Sequence, residues 1–139
     1  LQSAQNDYDL VLIDTPPARS LYSEVALVAC DYLIIPSDLK PFSNQGLQNL
    51  GKFISDREPA RRNLQKPPIE VLGVLPSKIS TNPQFVKATL PKRKAVIPKR
   101  YGFKLLETVI FEREDLAKCA ERTYMNGDQE IPDPKSVFD

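Results

Sequence analysis

Four consecutive residues, Asp14-Thr15-Pro16-Pro17, carry the clearest chemistry in the chain. They follow the apolar run Leu10-Val11-Leu12-Ile13, which reads as a strand covered on both faces. An acid at the carboxyl end of such a strand lies where open α/β sheets bind ligands. There a carboxylate can hold a water of a phosphate-bound Mg²⁺. Pro16 and Pro17 stiffen the next turn and direct the chain out of the sheet. The plain alternative is a strand that ends in an Asp-containing turn.

Such an acid needs a phosphate loop as its partner. The pattern Gly-x4-Gly-Lys occurs once, as Gly46-Leu47-Gln48-Asn49-Leu50-Gly51-Lys52. Phe53 follows it, where a Ser or Thr hydroxyl must reach the metal. No strand runs directly into Gly46. Leu47, Leu50, Phe53 and Ile54 fall at helical spacing, so the stretch reads as an amphipathic helix.

The elements that would position these groups are legible in the apolar pattern. Continuous runs at Leu10–Ile13, Leu33–Ile35, Val71–Leu75 and Val109–Phe111 read as strands of a parallel sheet. Leu21, Val25, Leu27 and Val28 mark a helix before Asp31. Leu47 to Ile54 mark a second, with Ser43 as its expected N-cap. Phe85, Val86 and Leu90 open a third, which Pro91 is expected to interrupt. Leu116, Cys119 and Ala120 suggest a fourth. Residues 57–68 are polar and proline-bearing, and read as a surface loop. Alternating strands and helices give an α/β domain of βαβ units. One such domain is expected over residues 1–139, with a poorly structured tail over 126–139.

Composition excludes several chemistries. The chain has 139 residues, 41% of them hydrophobic, which suits one domain with a real core. It has no histidine, which rules out a Ser-His or Cys-His nucleophile and His-based zinc sites within it. Cys30 and Cys119 match no metal spacing, and so few cysteines fit a reducing, cytoplasmic setting. No apolar run approaches the roughly 18–20 residues of a membrane span. Nineteen basic and eighteen acidic residues nearly cancel, so only their distribution informs. Lys87, Lys92, Arg93, Lys94, Lys99, Arg100 and Lys104 form a stretch without an acid, and acids prevail beyond Glu112. Such a stretch, Lys92, Arg93, Lys94, Lys99 and Arg100 above all, can neutralise nucleic-acid phosphates without reading sequence. A solvated basic helix face is the alternative.

Tyr8-Asp9-Leu10-Val11-Leu12-Ile13-Asp14-Thr15-Pro16-Pro17 closely resembles the ParA family of partition ATPases, a branch of the deviant-Walker P-loop proteins. Ala26 to Pro36 looks like that family's next helix and strand, Gly46 to Leu50 like its following helix, and Glu70 to Leu75 like its later strand. Glu107 to Ile110 looks like the strand that usually runs on into Pro-Arg, which Phe111-Glu112 replaces here. The likeness covers residues 7 to about 120, in order. It implies a three-layer, P-loop NTPase-like, mostly parallel sheet. Its central strand and glycine-rich lysine loop would precede Leu1, leaving the sheet incomplete and this polypeptide alone poorly stable and inactive.

The resemblance also implies cofactors and partners. ATP and Mg²⁺ would be bound, with Asp14 ordering the magnesium water shell and Thr15-Pro16-Pro17 sensing the γ-phosphate. Ser77 and Lys78, after a strand end, and Phe111 would lie near the adenine base; a simple turn and a core aromatic are the alternatives. The expected partners are non-specific DNA, a ParB-like stimulating protein and a second copy in a nucleotide-dependent homodimer, in a cytoplasmic, nucleoid-associated setting without membrane. Asp115 departs from the pattern, standing where the family often places a basic DNA-contacting residue. The alternative readings are a degenerate, non-catalytic ParA-like module that binds DNA or protein, and a MinD-like ATPase.

Overall fold

The computed structural model describes residues 7–15 and 20–113, together with the backbone of two short strands at Thr123–Asn126 and Gln129–Pro132. Four elements build its centre: helix α1 (Leu21–Ala29), strand β1 (Tyr32–Ser37), helix α2 (Pro41–Asn63) and strand β2 (Glu70–Pro76). β1 and β2 pair in parallel, joined by α2 as the crossover. Residues 104–112 continue the sheet on the far side of β2. They are held through Val74 N–H to the Lys104 carbonyl (2.8 Å), Leu106 N–H to Val74 (2.9 Å) and Ile110 N–H to Pro76 (2.8 Å). Of the strand expected at Val109–Phe111 only an isolated bridge forms, Ile79 to Phe111, with a second bridge, Val74 to Leu105, upstream of it. The architecture is α/β, a partial P-loop NTPase-like fold.

Gly73 explains the irregularity in the ladder. The register slips between Leu33 and Ile34, so that Ile34 faces Gly73. Gly73 has φ +144°, and a Cβ there would lie 2.7 Å from the Lys104 carbonyl oxygen. Only glycine allows that backbone approach without displacement.

Each helix has a local cause. Ser20 caps α1, its Oγ accepting from Ser23 N–H at 3.3 Å. α2 begins at Pro41, with Lys40 and not Ser43 at the N-cap. Proline serves there because the first helical N–H has no partner to lose. α2 then runs through Asn63, so the surface loop expected over 57–68 shrinks to residues 64–69. Pro59 sits inside the helix on an exposed face. A Schellman motif ends it. Gln65 takes φ +56°, Lys66 N–H reaches the Arg61 carbonyl (3.0 Å) and Gln65 N–H reaches Arg62 (2.9 Å).

Residues 83–101 form one continuous helical run, so Pro91 does not interrupt it. Helix α3 (Leu90–Val96) is flanked by π-helical turns at Phe85–Thr89 and Ile97–Tyr101. Pro91 and Pro98 stand in the first two positions of their segments. Widened turns there accommodate residues that lack an N–H and crowd the preceding carbonyls. Gly102, at φ +72°, closes the run.

One core joins Ile35, Leu39, Leu47, Val74, Ile79, Leu90 and Ile97 between the sheet, α2 and the 83–101 helix. A smaller cluster of Leu27, Phe53 and Ile69 seats α1 on α2. The buried strand expected at Leu10–Ile13 is not formed; that segment has no regular structure, and Leu10 and Leu12 are 74% and 85% exposed. A strand needs a ladder, and among the described residues nothing pairs with this one. β3 (Thr123–Asn126) and β4 (Gln129–Pro132) pair antiparallel. The tail expected from residue 126 falls partly on this hairpin and partly outside the described residues, as does the whole of the expected fourth helix. Among the described residues, no helix is long and apolar enough to cross a membrane.

Candidate functional site

The carboxyl ends of β1, β2 and the 104–112 segment form one rim, where parallel sheets place their ligands. The backbone turns there in the same unusual way twice. Leu39, two residues past β1, has φ +58°, and Lys78, two residues past β2, has φ +53°. Left-handed conformations in non-glycine residues persist where surrounding structure imposes them, and they concentrate at functional sites. The two turns are tied together by Ser77 N–H donating to the Ser37 carbonyl at 2.8 Å.

The first turn is a closed polar network. Ser37 Oγ accepts from Leu39 N–H at 3.1 Å, and Asn44 Nδ2 donates to the Leu39 carbonyl at 3.4 Å. Ser37 and Asn44 are both buried, so each bond replaces one lost to water. Asp38 Oδ1 accepts from Lys40 N–H at 3.0 Å, and Lys40 Nζ lies 3.2 Å from Asp38 Oδ2. Partial burial alone would raise the Asp38 pKa. Hydrogen bonds from the Lys40 backbone and from the Ser43 and Lys40 side chains, with the Lys40 charge, outweigh it and hold the carboxyl below its ordinary value. Sequence reasoning missed this turn, although Asp38-x-Lys40-Pro41 is a recognisable Asx-turn signal ahead of a helix.

The second turn holds two of the three expected base-side residues, Ser77 and Lys78. Ser77 Oγ is already engaged, donating to the Leu75 carbonyl at 3.1 Å. Lys78 is exposed at the left-handed position. Phe111 is brought beside them, since Ile79 N–H donates to Ile110 (3.2 Å) and Glu112 N–H donates to Ile79 (2.8 Å). Phe111 lines a shallow apolar groove with Thr81, Pro83, Val86 and Lys87. The structure therefore assembles Ser77, Lys78 and Phe111 on one rim.

It does not bring Asp14 to that rim through regular structure. Asp14 and Thr15 are exposed in the irregular 7–15 segment, and Pro16 and Pro17 lie outside the described residues. Among the described residues, no group of three or more acids, cysteines or histidines could hold a metal ion. Asp14 can offer one carboxylate to a hydrated Mg²⁺, which is not by itself a metal site. Gly46 to Lys52, the phosphate-loop look-alike, makes up about two turns of α2, with Leu47 buried.

The basic residues divide by their surroundings. Lys92, Lys99 and Arg100 are exposed on the 83–101 helix, whose Leu90 and Ile97 point into the core. Arg93 and Lys94 are half-buried, and the Arg93 guanidinium lies 5.1 Å from the Phe85 ring centre. Arg93 is thus engaged on the body of the protein. Arg100 lies 5.7 Å from the Tyr101 ring while remaining exposed.

Comparison with known proteins agrees with the residue pattern. Residues 1–66 match the family model described as an AAA domain. The virulence plasmid ParA family protein pGP5-D of Chlamydia psittaci is 42% identical over 55 residues, covering 40% of this chain and 21% of that protein. A ParA family protein of Chlamydia pneumoniae is 40% identical over 74 residues, covering 53% and 27%. Protein IncC of Escherichia coli is 31% identical over 108 residues, covering 73% and 28%. The chain thus spans about a fifth to under a third of the length of these curated relatives. No solved structure matches it. Taken with the Asp14-Thr15-Pro16-Pro17 motif and the parallel α/β core, these matches support a ParA-type family for the chain.

Proposed function

We propose that the chain is part of an ATPase that binds ATP with Mg²⁺ and holds DNA without reading sequence, in plasmid or chromosome partition. The observation that carries this reading is the Asp14-Thr15-Pro16-Pro17 motif within the span that matches the AAA domain model. In this reading Asp14 orders the magnesium water shell, and Thr15 to Pro17 respond to the γ-phosphate. Ser77, Lys78 and Phe111 flank the base, with Lys78 and Phe111 exposed enough to contact it. Bound magnesium would neutralise phosphate charge; this chain's own contribution is to place one acid and a base-side rim. Lys92, Lys99 and Arg100 supply cations toward DNA. The working protein pairs with a second copy around nucleotide, is stimulated by a ParB-like partner, and acts in the cytoplasm on the nucleoid.

The test is Mg²⁺-dependent ATP turnover by the full-length protein, with Asp14→Ala beside wild type. Turnover is expected to fall about a hundredfold, the scale of losing one oriented electrostatic group. Equal turnover in the variant refutes the assignment. A non-catalytic binding module is the second reading, favoured by the exposure of Asp14 and the helical Gly46–Lys52 stretch. It predicts DNA binding with no turnover in wild type.

A further inference from the structure

The most deeply buried charge among the described residues belongs to Arg61, which is 1% exposed. None of the ion pairs among the described residues includes it; those are Lys40 with Asp38, Arg57 with Glu24 and Lys66 with Asp31. All its partners are backbone carbonyls. Nη1 donates toward Leu27 (3.0 Å), Val28 (3.0 Å) and Cys30 (2.5 Å), so three acceptors share its two N–H groups. Nε and Nη2 both donate to Pro67, at 3.0 and 2.7 Å. Lys66 Nζ adds a bond to the Ala29 carbonyl at 2.6 Å.

The Leu27, Val28, Ala29 and Cys30 carbonyls are those that a helix leaves unpaired at its C-terminus. Two cations, Arg61 in the last turn of α2 and Lys66 just beyond it, thus close the end of α1, at the negative pole of its dipole. The rest of the contact is thin. Leu27 is the one buried residue of α1, while Leu21, Tyr22 and Val25 face solvent. A partly exposed Glu24–Arg57 pair at 3.1 Å adds little. A buried cation without a counter-charge costs desolvation, which the five carbonyl acceptors of Arg61 and Lys66 offset here.

We propose that Arg61 is a positioning residue that clamps α1 as a unit able to open separately from the sheet. α1 begins six residues after Thr15 in the chain, so the clamp also limits where Asp14 and Thr15 can lie. This second consequence rests on the nucleotide reading above; the first does not.

The experiment is amide hydrogen exchange on the full-length protein, comparing wild type, Arg61→Met, Arg61→Lys and Lys66→Met. Arg61→Met is expected to speed exchange over residues 24–30 by about a hundredfold, as loss of charged hydrogen bonds implies. Amides of β2 stay protected. Arg61→Lys restores part of the protection. Lys66→Met, which removes the Ala29 bond and the exposed pair with Asp31 but leaves the Arg61 bonds, gives a smaller effect of about fivefold. ATP·Mg²⁺ binding weakens about tenfold in Arg61→Met and recovers in step with protection in Arg61→Lys. Unchanged exchange over 24–30 overturns the clamp. Loss of protection across β2 as well overturns the separate unit, and Lys66→Met checks that result with a milder lesion. If wild type binds no nucleotide, the ATP reading fails by itself, because exchange decides the clamp independently.

Discussion

Replacing Lys92, Lys99 and Arg100 together with glutamine should nearly abolish the salt dependence of DNA binding. All three are exposed along the 83–101 helix, while Arg93 lies against Phe85. Each phosphate contact contributes a slope of about −0.9 in log affinity against log salt, so three contacts give about −2.7. Raising salt from roughly 50 to 200 mM should then weaken wild-type binding about fortyfold. Each single substitution should reduce the slope by about one unit. Arg93→Gln should leave the slope unchanged. The assay is fluorescence anisotropy of a labelled duplex of arbitrary sequence, titrated with full-length protein and ATP·Mg²⁺ at several salt concentrations. A wild-type slope near zero, an unaltered slope in the triple variant, or a lost slope in Arg93→Gln alone would each refute the assignment.

Two further predictions concern the rim and the sheet. Gly73→Ala forces a Cβ to within 2.7 Å of the Lys104 oxygen at φ +144°, and should cost about 2–5 kcal/mol, read as a lowered urea midpoint. Since the folded Asp38 pKa lies below its unfolded value, Asp38 stabilises the protein above the ordinary carboxylate pKa. That contribution is lost as pH falls through the folded value, so the urea-midpoint gap between wild type and Asp38→Asn should close below about pH 4.

Much of the fold was readable from local pattern. The runs at Leu33–Ile35 and Val71–Leu75 became β1 and β2, and Leu47, Leu50, Phe53 and Ile54 marked the inner face of α2. Elements that depend on distant partners were harder. Leu10–Ile13 has the composition of a strand, but a strand exists only beside another. The polar stretch from Arg57 on reads as a loop because Pro59 and three arginines carry no helical apolar signal. Arg61 near its end is held in part by carbonyls more than thirty residues away in sequence, Leu27, Val28 and Cys30. Pro91 reads as a breaker, and no propensity scale signals the π-helical turns that carry the helix past it.

The candidate site divides in the same manner. Ser77, Lys78 and Phe111 share a rim because parallel pairing puts successive strand ends side by side, which a strand–helix reading anticipates. The Ser37–Asn44 network escaped because its bonds follow from a left-handed leucine, and nothing in the residue type leucine announces that backbone state.

The bare hydrocarbon at Tyr8, Leu10, Val11, Leu12 and Ile13 has a practical bearing on anyone preparing this polypeptide. A short greasy β-prone ribbon invites cross-chain stacking. Concentrated stocks should therefore clump, and a charged replacement such as Leu12→Lys should keep them clear.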